Sequence, residues 1–250
     1  MKLRNVLVML FASALSVSAS ASGNGINSFS EAKRVLYTKV YKANEEHKTF
    51  YCGCDIQRQG KKLVPDLESC GYQNRKEGNL NRAQRIEAEH IVPAAHIGAQ
   101  NKCMIENKSR KDKRAYCEKS DSSFRKAYID LHNLVPAVGE VNMDRSNFRF
   151  AALTSTDFVY GKCDMKIDFK GKAVEPPANT RGDVARTYFY MSDRYGIRIS
   201  DAQRKLFEVW NKQDPVDEWE RVKNKRIKEL QGNSNKYIEE GFIATDNIDG

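Results

Sequence analysis

"EAEHIVPAAHIG" (87–98) sets a carboxylate, Glu89, directly beside an imidazole, His90, and the run is broken three residues later by Pro93. Within "AQRIEAEHIV" (83–92), Ile86 and Ala88 recur at period two, which predicts a strand. Pro93 would end it, because proline has no N–H to give to a ladder. Neighbouring side chains of a regular strand face opposite ways, so Glu89 and His90 can share a site only at a frayed strand end. For an isolated Glu–His pair, an ordinary edge strand with a solvated glutamate and a hydrogen-bonded histidine is the better explanation. A second element has to make the case for chemistry.

That element is "DLHNLVPAVGEVNMDRSNF" (130–148). It predicts a short extended piece from Asp130 to Leu134 and then a helix, with Pro136 at the first helical position. Val138 and Val141 would face the core, and Asn142 would sit one turn beyond Val138 on the edge of the buried face. Strand, loop, strand and helix would then bring Glu89, His90 and Asn142 to one spot. These residue types suit hydrolysis of a phosphodiester. Mg²⁺ takes hard oxygen ligands and keeps several waters, so Glu89 and the Asn142 amide oxygen suffice as protein ligands. A neutral imidazole at His90 can take a proton from water near neutral pH. An arginine nearby would pair with the phosphate oxygens.

Outward from this centre, "NSFSEAKRVLYTKVYKANEE" (27–46) predicts an amphipathic helix with Ser28 or Ser30 as N-cap. "TFYCGCDI" (49–56) and "KKLVPDL" (61–67) predict two strands joined by a turn near "RQG". "KSRKDKRAYCEKS" (108–120) reads as a charged loop between Cys103 and Cys117, able to grip a phosphate backbone or simply to be solvated. A further strand is expected at "CDMKIDF" (163–169), with Met165, Ile167 and Phe169 on one face, and "EPPANTRG" as a connector after it. Helices follow at roughly 181–195, 201–212 and 217–231, the last stopped by Gly232. Tyr188, Tyr190, Phe207 and Trp210 fall on their core faces. Residues 233–250 read as a tail. Few strands among several helices make the class α+β, in a single mixed domain.

The first 21 residues stand apart: a short basic start, an apolar run and Ala19-Ser20-Ala21 form an export signal with cleavage after Ala21. No other segment is apolar enough to anchor the chain in a membrane. All six cysteines, Cys52, Cys54, Cys70, Cys103, Cys117 and Cys163, lie beyond it, and an even number in an exported chain implies three disulfides. Cys52-Gly53-Cys54 is too closely spaced for a zinc hook. The formal charge of +9 falls to +7 once Lys2 and Arg4 leave with the signal. A basic exported protein can meet nucleic acid, anionic lipid or acidic polysaccharide, so charge alone selects none of them.

Together "GINSFSEAK", "FYCGCDI", "AEHIVPA", "DLHNLVPAVGEVNMDRSNF", "CDMKIDFKGKAVEPPA" and "RGDVARTYFYM" resemble the bacterial endonuclease I family of periplasmic and secreted nucleases, within the ββα-metal (His-Me finger) group. The resemblance runs from about residue 25 to residue 233. It implies a disulfide-stapled domain over 22–232 with a ββα-metal site and flanking helices. It implies His90 as general base and Glu89 and Asn142 as ligands of Mg²⁺, with Mn²⁺ or Ca²⁺ as other occupants. It gives Asn133 the part of a loop brace and leaves His132 as a supporting or structural residue. An arginine of the cysteine-bounded loop is expected on the phosphate; the loop is longer than the family pattern, which leaves Arg110 and Arg114, and Arg110 is preferred. His96 fits no shared face with His90 and reads as structural. Tyr128 stands where the pattern carries a glutamate, and Arg221 and Phe242 replace a pair of C-terminal cysteines. The remaining six are expected to pair as Cys103–Cys117, which local spacing supports, and as Cys54–Cys70 and Cys52–Cys163.

The expectation is a monomeric, periplasmic or secreted endonuclease that cuts DNA and RNA with little sequence preference and leaves 5′-phosphate ends. Two alternatives stay open: a non-catalytic nucleic-acid-binding protein on the same scaffold, favoured by Tyr128, and a nuclease restricted to RNA.

Overall fold

The computed structural model describes residues 25–42, 45, 47–60, 62–154 and 159–239. The expected export signal and most of the expected tail lie outside them.

Helix α1 (Phe29–Val35) begins where the Ser28 hydroxyl accepts the Glu31 amide at 3.2 Å, and it widens into a π turn over Leu36–Val40. Strands β1 (Asp55–Gln59) and β2 (Lys62–Asp66) form an antiparallel hairpin. The chain reaches β3 (Ile86–His90) through one turn of helix, α2 (Leu80–Ala83). Four short helices then separate β3 from its partner: α3 (Ala94–Gly98), α4 (Lys102–Glu106), α5 (Lys113–Ser120) and α6 (Ser122–Tyr128). Strand β4 (Leu134–Val138) runs antiparallel to β3, from Ile86 opposite Val138 to His90 opposite Leu134, and leads directly into α7 (Gly139–Arg145). Strands β5 (Arg149–Phe150), β6 (Lys166–Asp168) and β7 (Ala173–Glu175) make a small mixed sheet in the order β5-β7-β6. Helices α8 (Arg181–Tyr195), α9 (Asp201–Gln213), α10 (Glu218–Gln231) and α11 (Lys236–Glu239) follow. The class is α+β, and three disulfides staple it: Cys52–Cys163, Cys54–Cys70 and Cys103–Cys117.

The centre of the fold is the ββα unit of β3, β4 and α7. Every residue of β4 is buried, as an uninterrupted "LVPAV" requires. Pro136 lies in the middle of this strand, opposite Ala88, not at the head of a helix. It is tolerated because its carbonyl faces away from β3 and accepts the Phe50 amide at 2.8 Å. The missing N–H lies on that same outer side, where β3 does not need it. Helix α7 therefore starts three residues later, at Gly139. There a Cβ would come within 2.5 Å of the Arg82 carbonyl oxygen, so a side chain is excluded.

Four other expectations change. The strand expected over 49–56 forms only from Asp55 onward, because Thr49 to Cys54 close a tight turn in which Thr49 accepts the Cys54 amide and donates its own to the Cys54 carbonyl. The "charged loop" is α5 with part of its approach, held to α4 by Cys103–Cys117. Phe169 does not join Met165 and Ile167 in the core; it is exposed, and the Arg75 guanidinium covers its ring at 4.4 Å. The start of the expected tail is packed: Asn235 is buried, its amide donating to Asn224 Oδ1 at 2.8 Å, and α11 rests on α8 and α10. The three helices read between 181 and 231 form nearly as expected, with Asp217 and Glu220 closing a capping box on α10 and Gly232 at φ +83° ending it.

Candidate active site

Among the described residues strand β3 pairs only with β4, which leaves its other edge open. A groove of about 830 Å³ lies there, lined by residues of α1, β3, α6 and α7. Side chains from both faces of β3 reach it. Glu87, Glu89, His90, Asn142, Arg145, Arg114 and Tyr128 all line this groove. The open edge thus does what the sequence assigned to a frayed strand end.

Glu89 is 3% exposed. The Tyr51 hydroxyl donates to its Oε1 at 3.1 Å, and the Arg145 guanidinium lies 3.2 Å from the same oxygen. Burial nevertheless pushes the carboxyl up to about 7, against the opposing pull of Arg145. A group in that position gains from any further cation that favours its ionised form. Arg145 also donates to the carbonyls of His90 at 3.0 Å and Ile91 at 2.5 Å, so one side chain fixes both the carboxylate and the end of the strand.

His90 sits on the other face. Its ring stacks on Tyr128 at 4.8 Å and 9°, and on Phe29 at 5.0 Å. Its Nε2 is 2.7 Å from the Tyr128 carbonyl oxygen. A carbonyl only accepts, so the neutral ring must carry its proton on Nε2, which leaves the Nδ1 lone pair open. Burial, with Arg114 and Arg145 nearby, drives the imidazole down to about 4. The ring is a free base at neutral pH.

Asn142 is oriented from below, its Nδ2 donating to Glu87 Oε2 at 2.8 Å. With the amide nitrogen committed, the oxygen is its remaining polar atom. Glu87 is itself paired with Arg82 through two contacts of 2.9 Å. On its far side α7 is anchored by two buried carboxylates. Glu140 accepts from Tyr72 at 2.6 Å and from Asn79 at 2.9 Å, and Asp144 receives both Arg75 nitrogens and the Tyr160 hydroxyl. Such fully paired networks hold a helix in one position.

Asn133 does not line the groove. Its amide makes a two-way clamp on Val92, accepting the amide at 2.7 Å and donating to the carbonyl at 3.0 Å, which fixes the turn after β3. His132 is turned away, with Nε2 on the Asn233 carbonyl and its ring against Tyr190. His96 interacts with the Asn147 backbone. Arg110 is not brought to the groove: it pairs with Asp112 at 3.0 Å and lies over the Tyr116 ring. Arg114 is, four residues further on in the first turn of α5, and it hydrogen-bonds the Tyr128 side chain. Tyr51, Glu87 and Arg145 were not singled out from the sequence. Glu87 shares the strand face of Glu89 at i−2, and Arg145 shares the helix face of Asn142 at i+3, so periodicity alone could have nominated both.

No cluster of three or more His, Cys, Asp or Glu side chains is arranged to hold a metal among the described residues. One carboxylate and one amide oxygen, Glu89 and Asn142, fit instead a hard cation that keeps most of its ligands as water.

The chain belongs to the endonuclease I family, whose model matches residues 28–241, and it is accordingly a nuclease. It is 48% identical over 227 residues to an extracellular deoxyribonuclease of Aeromonas hydrophila, spanning 90% of this chain and 94% of that one. A periplasmic deoxyribonuclease of the same species is 47% identical over 226 residues, 90% and 91% of the two chains. Endonuclease-1 of Buchnera aphidicola is 46% identical over 213 residues, 85% and 81%. Among the described residues no helix is long and apolar enough to cross a membrane.

Proposed function

We propose that this protein is an exported endonuclease that hydrolyses phosphodiester bonds in DNA, and in RNA, with little sequence preference, using His90 as general base. The observation that carries this reading is the His90–Tyr128 hydrogen bond. It commits Nε2 to a carbonyl and leaves Nδ1 unprotonated in a groove that also holds a buried carboxylate and an oriented amide. Export is supported by the leader pattern of residues 1–21 and by relatives named as extracellular and periplasmic.

In this reading the Nδ1 lone pair takes a proton from the water that attacks phosphorus. Glu89 Oε and the Asn142 amide oxygen would hold a divalent cation, Mg²⁺ first among candidates; when bound it supplies charge stabilisation at the phosphate and the departing 3′ oxygen. Arg114, not Arg110, lies where a guanidinium can pair with the phosphate oxygens. Arg145 stays buried under Glu89 and orients it. Departure of the 3′ oxygen leaves 5′-phosphate and 3′-hydroxyl ends. Contacts to the backbone carry no base information, so preference for sequence is low.

The test is plasmid nicking by the oxidised mature protein with Mg²⁺, with EDTA as control, followed by end mapping and a parallel assay on single-stranded RNA. Nicking that EDTA abolishes, with 5′-phosphate ends, is the expected result. Tight plasmid binding without cutting under any divalent metal would mean a binding scaffold, and cutting of RNA alone would mean the restricted nuclease.

A further inference from the structure

The groove beside His90 does not end where the catalytic residues end. It shares Tyr37 and Ile86 with a second cleft of about 1200 Å³, between α1, the β1–β2 hairpin and α2. On its other side it shares Ala94, Ala95, Arg114 and Tyr128 with a third cleft of about 660 Å³, between α3 and the α4–α5 segment. The three clefts therefore adjoin in a trough, with the His90 groove between the other two.

The two outer parts carry exposed cations outside any ion pair among the described residues, beside the carboxylates Asp66 and Glu68 on the hairpin side and Asp112 and Glu118 on the other. Arg58, Lys62 and Arg85 line the hairpin side, all exposed and none in an ion pair among the described residues. Lys108 and Lys111 line the other side in the same condition. By contrast the acidic groups of the central groove are already paired: Glu87 with Arg82 and Glu89 with Arg145. Exposed cations outside any ion pair, in adjoining clefts on both sides of a reacting centre, suit a linear polyanion that crosses all three.

We propose that the hairpin cleft and the α4–α5 cleft are two phosphate-binding arms that hold the substrate strand on opposite sides of the scissile bond. The inference rests on the nuclease reading above and extends it to regions that hold no catalytic residue. The arms act on binding, so they lower KM for long strands and leave the chemical step alone. Their contribution is electrostatic and must weaken with salt.

Three double variants with the same charge change test this: Arg58→Ser with Lys62→Ser, Lys108→Ser with Lys111→Ser, and Lys205→Ser with Lys212→Ser. The last pair is exposed on α9, which lines none of the three clefts. Binding of a short fluorescein-labelled DNA duplex is measured in EDTA over a salt series, where no cutting is needed. Each arm variant should bind about tenfold more weakly at physiological salt and lose roughly 2 from the slope of log affinity on log salt. The α9 variant should change neither. Equal weakening in all three would reduce the effect to net charge and overturn the arms; so would no weakening in the first two. A second readout is hydrolysis of a thymidine nitrophenyl phosphodiester, too short to reach either arm. Its rate should be unchanged in all three variants, and a fall there in an arm variant would place those residues in the central site and contradict the proposal. Failure of the wild type to hydrolyse any substrate would count against the nuclease reading, while the binding series would still decide the arms.

Discussion

The groove wall made by β3, β4 and α7 has its charges locked inside the protein, whereas the wall made by α5 and α6 carries its cations in solvent. Arg145 and Glu89 side chains are 1% and 4% exposed, and the guanidinium is tied to two main-chain carbonyls as well. Arg114 is exposed, on a helix whose link to α4 is the Cys103–Cys117 bridge. The first wall can hold a ligand set rigidly. The second can present its exposed cations to a bound phosphate: α6 is packed through Phe124, Ala127 and Tyr128, and a disulfide ties α5 to α4. On one side the charged groups themselves are buried; on the other only the apolar face of the helices is, with a covalent clip added.

The largest effect expected from breaking this contrast is on the buried side. Arg145→Met leaves Glu89 without its partner and strands two carbonyls, so it should cost about 3–5 kcal/mol of stability in urea melts. A loss no larger than that of an ordinary surface change would mean the pair is dispensable.

Next in size is a pH effect. Glu89 is raised to about 7 from the usual 4.5, so the folded protein keeps a proton that the unfolded chain releases in between. Metal-free protein therefore loses stability from this group as pH rises through that window. Glu89→Gln removes the loss, and its stability relative to wild type should improve by about 3 kcal/mol between pH 4.5 and 7. Melts in EDTA that track each other across this range would contradict the raised carboxyl.

The exposed wall is tested by comparing its two arginines. Arg114→Ala should slow cleavage by about a hundredfold, as loss of a charge-stabilising donor does. Arg110→Ala, which breaks the exposed Asp112 pair and the contact with the Tyr116 ring, should change it less than about twofold. The reverse order would restore Arg110 to the phosphate. On the buried wall a smaller effect is expected from Tyr51→Phe, which removes one hydrogen bond to Glu89 and should cost about 1 kcal/mol in the same melts.

The same contrast explains what could be read in the sequence. The buried wall follows the sequence in part: Val138 and Val141 face the core, and Glu89, His90 and Asn142 line one groove, but Ile86 and Ala88 are only half-buried and Glu89 is the buried residue of β3. Pro136 misled because proline is as acceptable at a helix start as on the outer side of a strand, and only the Phe50 contact decides between them. The helices after residue 181 were legible because apolar spacing and caps agree there, Gly232 above all. The 108–120 segment has no apolar period to read. Its short helix depends on the bridge to α4 and on packing, so sequence alone could not tell which of two arginines turns inward. Tertiary contact likewise decides Phe169, which a strand pattern sends to the core and a guanidinium holds at the surface.

The central claim is that His90, neutral and proton-bearing only at Nε2, takes the proton from water. It is tested most directly by the Mg²⁺-dependent cleavage rate of His90→Ala with and without added imidazole, alongside duplex affinity in EDTA. The account predicts a loss of about 10²–10⁴ in rate, unchanged affinity and partial recovery with imidazole. A variant that cleaves at the wild-type rate would contradict it.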